Sequence, residues 1–226
     1  MDVYSYSQEK VDALIENGYE VKPTHYIKRG FELFKQNPGG FIGYSLIFLL
    51  ISVVLDAIPV VGFAASIAVQ GPLFAGFYII ARRINHSQSH TFSDFFKGFD
   101  YFVPLLLTNL IGGILIFLGL LLLILPGVYL AVAYSLASLF VVFGGLDFWP
   151  ALETCRRLIT KQWFNFFILA VLLVLMNLLG AILLGVGLLV SLPVSFCAMY
   201  VAYEEIVGTG SGASPRDFQE AEIIEG

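Results

Sequence analysis

Charged residues are scarce in this sequence, and none interrupts its long apolar runs. Lys, Arg, Asp and Glu make up 13% of the 226 residues, whereas an ordinary soluble domain has about 25%. Hydrophobic residues reach 58%, and the mean hydropathy is +0.84. So few charges cannot cover a water-exposed surface, which argues against a soluble protein. We also expect no nucleic-acid partner.

Residues that could carry chemistry are equally few. Cys155 lies in a charged connector and Cys197 in the last apolar run, so the pair gives neither a disulfide framework nor metal-ligand spacing. His86 and His90 lie in a polar loop without nearby Cys or carboxylate. No phosphate-binding glycine loop and no nucleophile with a base is present. The sequence therefore predicts a non-enzymatic protein with no catalytic residue, cofactor or metal.

What the sequence has instead is six long apolar runs. Runs of more than ~18 residues without charge are typical of transmembrane helices. They begin near Phe41, Phe63, Tyr101, Gly127, Phe164 and Gly187. The sequence thus predicts an all-α polytopic membrane protein with six spans in residues 39–207. Residues 1–38 form a polar segment with amphipathic helices and no cleavable signal peptide, and residues 208–226 form a disordered acidic tail.

The basic residues lie on one side of these runs. All twelve precede the first run, follow the sixth, or lie between the second and third or the fourth and fifth. Because basic residues near span ends stay in the cytoplasm, we expect both termini to be cytoplasmic. The twelve are Lys10, Lys22, Lys28, Arg29, Lys35, Arg82, Arg83, Lys97, Arg156, Arg157, Lys161 and Arg216.

The six runs form three repeated helical hairpins, at about 39–83, 101–146 and 163–207. The third and fifth runs match at a constant offset of 68 residues, which aligns Asn109 with Asn177. The returning runs of the first and third hairpins match as well, and Phe74 aligns with Phe196. Such repetition indicates duplication of a hairpin, and it does not by itself indicate transport.

A polar and aromatic segment introduces each hairpin, at residues 24–37, 91–100 and 147–163. In the first, Ile27, Phe31 and Phe34 share one helical face opposite basic and acidic residues. Thr91 and Asp94 have the spacing of a capping box. These segments are suited either to the inner headgroup layer of the membrane or to packing under the bundle as linking helices.

Three stretches resemble a broad group of bacterial six-span proteins: GPLFAG at 71–76, LPGVYL at 125–130, and the connector at 151–163. The group includes the membrane domain fused to some glycerophosphoryl diester phosphodiesterases, and the resemblance covers about residues 24–206. It implies a multi-pass protein of the bacterial cytoplasmic (inner) membrane. The phosphodiesterase barrel and its acidic and histidine residues are absent, so the resemblance implies no lipid hydrolysis.

Amide side chains inside the runs are candidates for a specific role. Asn109 and Asn177 occupy matched positions, and Gln70 lies two residues before Pro72. They either bond between helices as structural contacts or line a polar path. A continuous polar cavity from these amides to either surface would favour transport, whereas a closed apolar centre would favour a structural role.

The hairpin alignment also predicts ion pairs. It places Arg82 and Arg83 on Glu204 and Glu205, so equivalent ends of the second and sixth spans carry opposite charges. The two ends either pair with each other or lie separately in the headgroup layer.

Together these observations predict a non-enzymatic membrane protein that works by interaction or by supporting the envelope. The alternative is a permease or channel for a small uncharged or weakly polar solute. The lipid bilayer is the expected partner. A membrane or cytoplasmic protein partner and a homo-oligomer remain open.

Overall fold

A computed structural model describes residues 11–58, 61–182 and 185–208, and these contain helices and turns but no strand. The predicted tail beyond Gly208 lies outside the described residues. Residues 11–17 are helical. The named helices are α1 (Pro23–Gln36), α2 (Pro38–Asp56), α3 (Val61–Asn85), a 3-10 helix (Phe92–Tyr101), α4 (Phe102–Leu122), α5 (Ile124–Ala133), α6 (Ala137–Val142), α7 (Phe148–Lys161), α8 (Trp163–Ile182) and α9 (Leu188–Ile206).

Six helical stretches within the described residues are long and apolar enough to cross a membrane. The prediction of an all-α chain with six helices able to span a membrane is therefore confirmed for the described residues. Four of these stretches belong to α2, α3, α8 and α9. The third joins the 3-10 helix to α4, and the fourth joins α5 to α6.

The six spans divide into outer and inner helices. In the 18-residue apolar stretch of each span, only 22% of the residues are buried inside the protein in the first, third and fifth spans, against 56%, 44% and 61% in the second, fourth and sixth. The returning arm of each consecutive pair is thus the inner one. An outer apolar face is stable here because its solvent is lipid.

Aromatic rings fill the space between the inner helices α3 and α9 and their neighbours. The rings of Phe77 and Phe196 stack with their centroids 4.7 Å apart. Tyr44 of α2 contacts Phe77 at 4.8 Å and Phe95 of the 3-10 helix at 4.6 Å. Its hydroxyl donates a hydrogen bond to Leu73 O at 2.9 Å. These rings form an aromatic core between α2, α3, the 3-10 helix and α9.

The fourth span is broken between α5 and α6. Tyr134 and Leu136 both leave the α-helical region, with φ near −100° and ψ near 4°. A break inside a membrane frees backbone groups that need protein partners. The turn satisfies several of these groups itself, since the backbone N–H groups of Ser135 and Ala137 donate to Val132 O at 3.1 Å and to Tyr134 O at 3.0 Å. Cys155 of the connector helix α7 is fully buried close to the Leu136 backbone.

Helix α1 packs against α9. Its buried residues are Tyr26, Gly30, Leu33 and Phe34, whereas Phe31 is 42% exposed. The packed face is therefore rotated from the predicted stripe. The reason is Gly30, where an added Cβ would lie 2.6 Å from the backbone nitrogen of Ala198. The absence of a side chain lets the two backbones approach closely.

The 3-10 helix packs in the same way against α3. An added Cβ at Gly98 would overlap the carbonyl oxygen of Pro72, and one at Gly76 would overlap that of Phe95. Asp94, Phe95 and Gly98 are buried in this contact. The introducing segments are thus packed on the bundle while part of their surface stays exposed.

Candidate functional site

The C-terminal ends of the inner helices α3 and α9 meet α1 and the 3-10 helix at one end of the bundle. Arg82 and Arg83 lie in the last turn of α3. Glu204 and Glu205 lie in the last turn of α9. We call this region, with its ion pairs to α1 and the 3-10 helix, the charged end.

Asp94 of the 3-10 helix is the carboxylate partner of Arg83. The Arg83 guanidinium donates to Asp94 Oδ2 at 2.9 Å and to Ser89 O at 3.1 Å. Lys97 Nζ lies 2.9 Å from Asp94 Oδ1, and the Thr91 backbone N–H donates to Asp94 Oδ2 at 2.7 Å. Asp94 is only 5% exposed. Buried carboxylates require such pairing, so this contact fastens the 3-10 helix to α3.

Two histidines bind the glutamates of α9. His25 Nε2 of α1 lies 2.8 Å from Glu205 Oε1, and His86 Nε2, just beyond α3, lies 3.2 Å from Glu204 Oε1. The end of α9 is therefore tied to both neighbours. The spacing of His86 and His90 does not bring these side chains to a common partner, since His90 Nε2 contacts Asn37 Nδ2 at 3.0 Å.

Arg82 lies against an aromatic ring. Its guanidinium carbon is 5.2 Å from the centre of the Phe143 ring, a cation–π distance. Arg82 and Glu204 both lie within electrostatic range of the Tyr203 hydroxyl. The ion pair between Arg82 and Glu204 therefore stays a prediction.

The role of Asp94 was visible in the sequence only in part. The spacing of Thr91 and Asp94 indicated a helix cap, and the backbone bond from Thr91 to Asp94 is present. The hairpin alignment instead predicted glutamate partners at the end of α9 for Arg82 and Arg83, because it compared equivalent helix ends. It could not show that the following connector folds back along α3.

Asn109 and Asn177 make the same bond within their own helices. Each side-chain amide donates to the carbonyl four residues earlier, Leu105 O and Leu173 O, at 2.9 Å. Asn177 Nδ2 also donates across to Ser195 Oγ of α9 at 2.7 Å. The amide of Asn109 instead lies against the backbone of α3, 2.4 Å from where a Cβ on Gly71 would be.

These amides lie at different helix interfaces. Asn109 is at the α3–α4 contact, Asn177 is at the α8–α9 contact, and Gln70 is exposed. Within the described part of the chain, no hydrogen bond joins any two of them. At the α8–α9 contact, the buried atoms Asn177 Oδ1 and Ser191 Oγ lack a hydrogen-bond partner among the described residues.

A second polar cluster lies on α7. Arg157 pairs with Asp12 at 2.6 Å, and the Tyr19 hydroxyl donates to Leu158 O at 2.6 Å, so the N-terminal segment packs on this helix.

Arg156 of the same helix donates to both oxygens of Glu153, at 3.0 and 2.6 Å. This fork holds the pKa of the Glu153 carboxyl below its ordinary value. Burial raises the pKa of the neighbouring Cys155 thiol, which favours an unreactive thiol.

Comparison with known proteins identifies no family for this chain. No family model matches the chain, and neither the curated proteins nor the solved structures include a significant match.

Proposed function

We propose that this chain is a non-enzymatic protein of the bacterial inner membrane that acts through interactions at its charged end. Both termini and the charged end would then be cytoplasmic, as the one-sided basic residues indicate. The bundle would consist of three related hairpins. In support, the aligned residues Phe74 and Phe196 contact each other at 4.8 Å, and the aligned Asn109 and Asn177 make the same bond.

The aromatic core is the observation that carries this proposal. Phe77 and Phe95 are 0% exposed, and Phe77 stacks on Phe196 between the inner helices. A permeation path needs polar groups that follow one another through the bundle. Asn109 and Asn177 instead lie at separate interfaces, and Gln70 is exposed. This arrangement favours a rigid body over a channel.

The surface of the charged end suits contact at the headgroup layer. On the 3-10 helix, Phe92, Phe96 and Phe99 are 45%, 37% and 39% exposed beside Lys97. On α1, Lys35 Nζ lies 4.7 Å from the centre of the exposed Phe31 ring. Exposed aromatic and basic groups together are typical of membrane interfaces and of protein contact surfaces. We propose lipid headgroups and a protein partner as the ligands of this surface.

One observation favours the second candidate, a permease for a small uncharged or weakly polar solute. Asn177 Oδ1 and Ser191 Oγ are buried and lack a hydrogen-bond partner. Unpartnered buried polar atoms are costly, and a polar solute or water between α8 and α9 would satisfy them.

Site-specific photocrosslinking in native membranes tests the proposal. A photoreactive amino acid at Phe96, on the charged end, should give discrete protein adducts. The control is Val54 of α2, which is 55% exposed on an outer span and should give mainly lipid adducts. Proteoliposome uptake of small solutes is the opposing measurement. A solute flux that Asn177→Leu abolishes, without protein adducts at Phe96, would replace the proposal with the permease.

A further inference from the structure

We infer that a groove between α5 and α8 holds one acyl chain of an anionic phospholipid more firmly than the surrounding bilayer does. The inference concerns a different face from the charged end and does not depend on the proposed function.

The groove is apolar throughout. Its volume is about 310 Å³, and its eight lining residues are all Val, Ala, Leu or Phe. Phe167 and Leu175 mark its extent along α8, about 12 Å at 1.5 Å per residue. Its outer side is open, since Val174 is 65% and Leu175 50% exposed. Because both helices belong to stretches long and apolar enough to cross a membrane, we expect the opening to face hydrocarbon.

One end of the groove carries the groups that mark a membrane interface. Phe167 stacks on Trp163 at 5.2 Å, and Trp163 stacks on Tyr129 at 6.2 Å. Trp163 Nε1 donates to Tyr129 O at 3.2 Å. Trp and Tyr are enriched where hydrocarbon meets headgroups. The groove therefore runs from headgroup depth into the hydrocarbon layer.

Polar and basic groups lie just beyond this aromatic end. The Tyr129 hydroxyl lies 2.6 Å from Thr160 Oγ1. The Arg156 guanidinium is held by Glu153, whereas Lys161 is exposed and has no ion pair with another described residue. Lys161 is thus positioned to attract a headgroup phosphate. The Thr160 hydroxyl is already engaged, since it donates to Arg156 O at 2.6 Å.

The size of the groove favours an acyl chain over a second copy of the protein as its occupant. A helix with side chains is at least about 10 Å wide, so 12 Å of it fills about 900 Å³, more than the whole empty space of the groove, which is about 650 Å³ with its open side included. A second copy could only rest on the rim, whereas one extended chain of methylene groups can enter. A polar solute is disfavoured because the lining offers no side-chain donor or acceptor.

Native mass spectrometry after release from nanodiscs tests the inference. The nanodiscs contain equal amounts of phosphatidylglycerol and phosphatidylcholine, and the natural chain should retain one phospholipid, mainly phosphatidylglycerol. Two variants fill the groove, Ala131→Phe from the exposed rim and Ala170→Phe from within. Each should lower the retained lipid roughly tenfold, as loss of about 1.4 kcal/mol of binding free energy would.

Matched controls separate the groove from general effects of substitution. Ile168→Phe enlarges an exposed residue of α8 outside the lining and should retain the lipid. Lys161→Gln should abolish the preference for phosphatidylglycerol, and Lys28→Gln, a change of another exposed lysine, should not. Equal lipid retention by the natural chain and Ala131→Phe would overturn the inference. Loss of a dimer in Ala131→Phe with unchanged lipid would overturn it in favour of a second copy.

Discussion

Arg83 and Asp94 form an ion pair, 2.9 Å between the guanidinium and carboxylate atoms, in which the carboxylate side chain is only 7% exposed. The pair joins the end of α3 to the connector that follows it. Stability at the charged end should therefore depend more on Asp94 than on either glutamate of α9.

Replacement of Asp94 should loosen the 3-10 helix. Asp94→Ala leaves Arg83 and Lys97 without their carboxylate and removes the bond from Thr91. Breaking a buried pair costs about 3–5 kcal/mol, and the partial exposure of both cations reduces this to about 2 kcal/mol. Thermal unfolding in detergent measures the loss. Lys97→Gln, at the more exposed partner, should cost less than about 1 kcal/mol, and equal losses would contradict the buried role of Asp94.

Gly30 should control the docking of α1. Gly30→Ala would place a Cβ 2.6 Å from the backbone nitrogen of Ala198, which backbone packing cannot accommodate without a shift. We expect α1 to exchange amide hydrogens faster by hydrogen–deuterium exchange, while α4 is unchanged. Gly39→Ala is the control, because nothing lies within 4 Å of its added Cβ. Unchanged exchange in Gly30→Ala would show that α1 does not pack on α9 this closely.

Charge reversal should distinguish the two arginines. Arg82→Glu should destabilise the bundle. If Arg82 and Glu204 pair as the hairpin alignment predicts, adding Glu204→Arg should restore part of the loss, since both residues lie near Tyr203 while Glu204 also contacts His86. Arg83→Glu should not be restored by Glu205→Arg, since Arg83 binds Asp94 and Glu205 binds His25. Melting temperatures of the two double variants measure the difference. Equal recovery in both would support the ion pairs expected from the hairpin alignment.

Asn177 and Ser195 should be coupled. Their hydrogen bond, 2.7 Å long, joins α8 to α9. Interhelical hydrogen bonds in membranes contribute about 0.6 kcal/mol on average, so Asn177→Leu and Ser195→Ala should each lower stability modestly. The double variant should lose less than the sum. The pair of Asn109→Leu and Ser195→Ala, at separate interfaces, is the control and should be additive.

The orientation of the chain can be tested with introduced cysteines. Cys155 and Cys197 are both 0% exposed and can be left in place. Cysteine at Ala57 or Val186 should react with an impermeant maleimide in intact cells, because no basic residue lies in those turns. Cysteine at Gln88, beside Arg82 and Arg83, should react only after lysis. The opposite pattern would reverse the orientation.

The sequence by itself determined the all-helical, six-span character of the protein. Hydrophobicity and charge act locally along a chain in a membrane, because each span must satisfy its own backbone bonds and exclude charge. The first apolar span was expected near residue 39 and begins at Pro38, and the last was expected to end at 207 and ends at Ile206. Asn109 and Asn177 were expected to bond between helices or to line a polar path, and their shared bond to the preceding turn was not predicted.

Tertiary structure alone decided which side chains meet. Arg83 binds Asp94 because glycines at 76 and 98 let the 3-10 helix lie directly along α3. Helix α1 turns Gly30 toward α9 and leaves Phe31 exposed, although periodicity placed Phe31 in the apolar stripe with Ile27 and Phe34. The groove between α5 and α8 joins residues about 40 positions apart, such as Val128 and Phe167. Such contacts depend on the separation and rotation of whole helices, which no local pattern of hydrophobicity specifies.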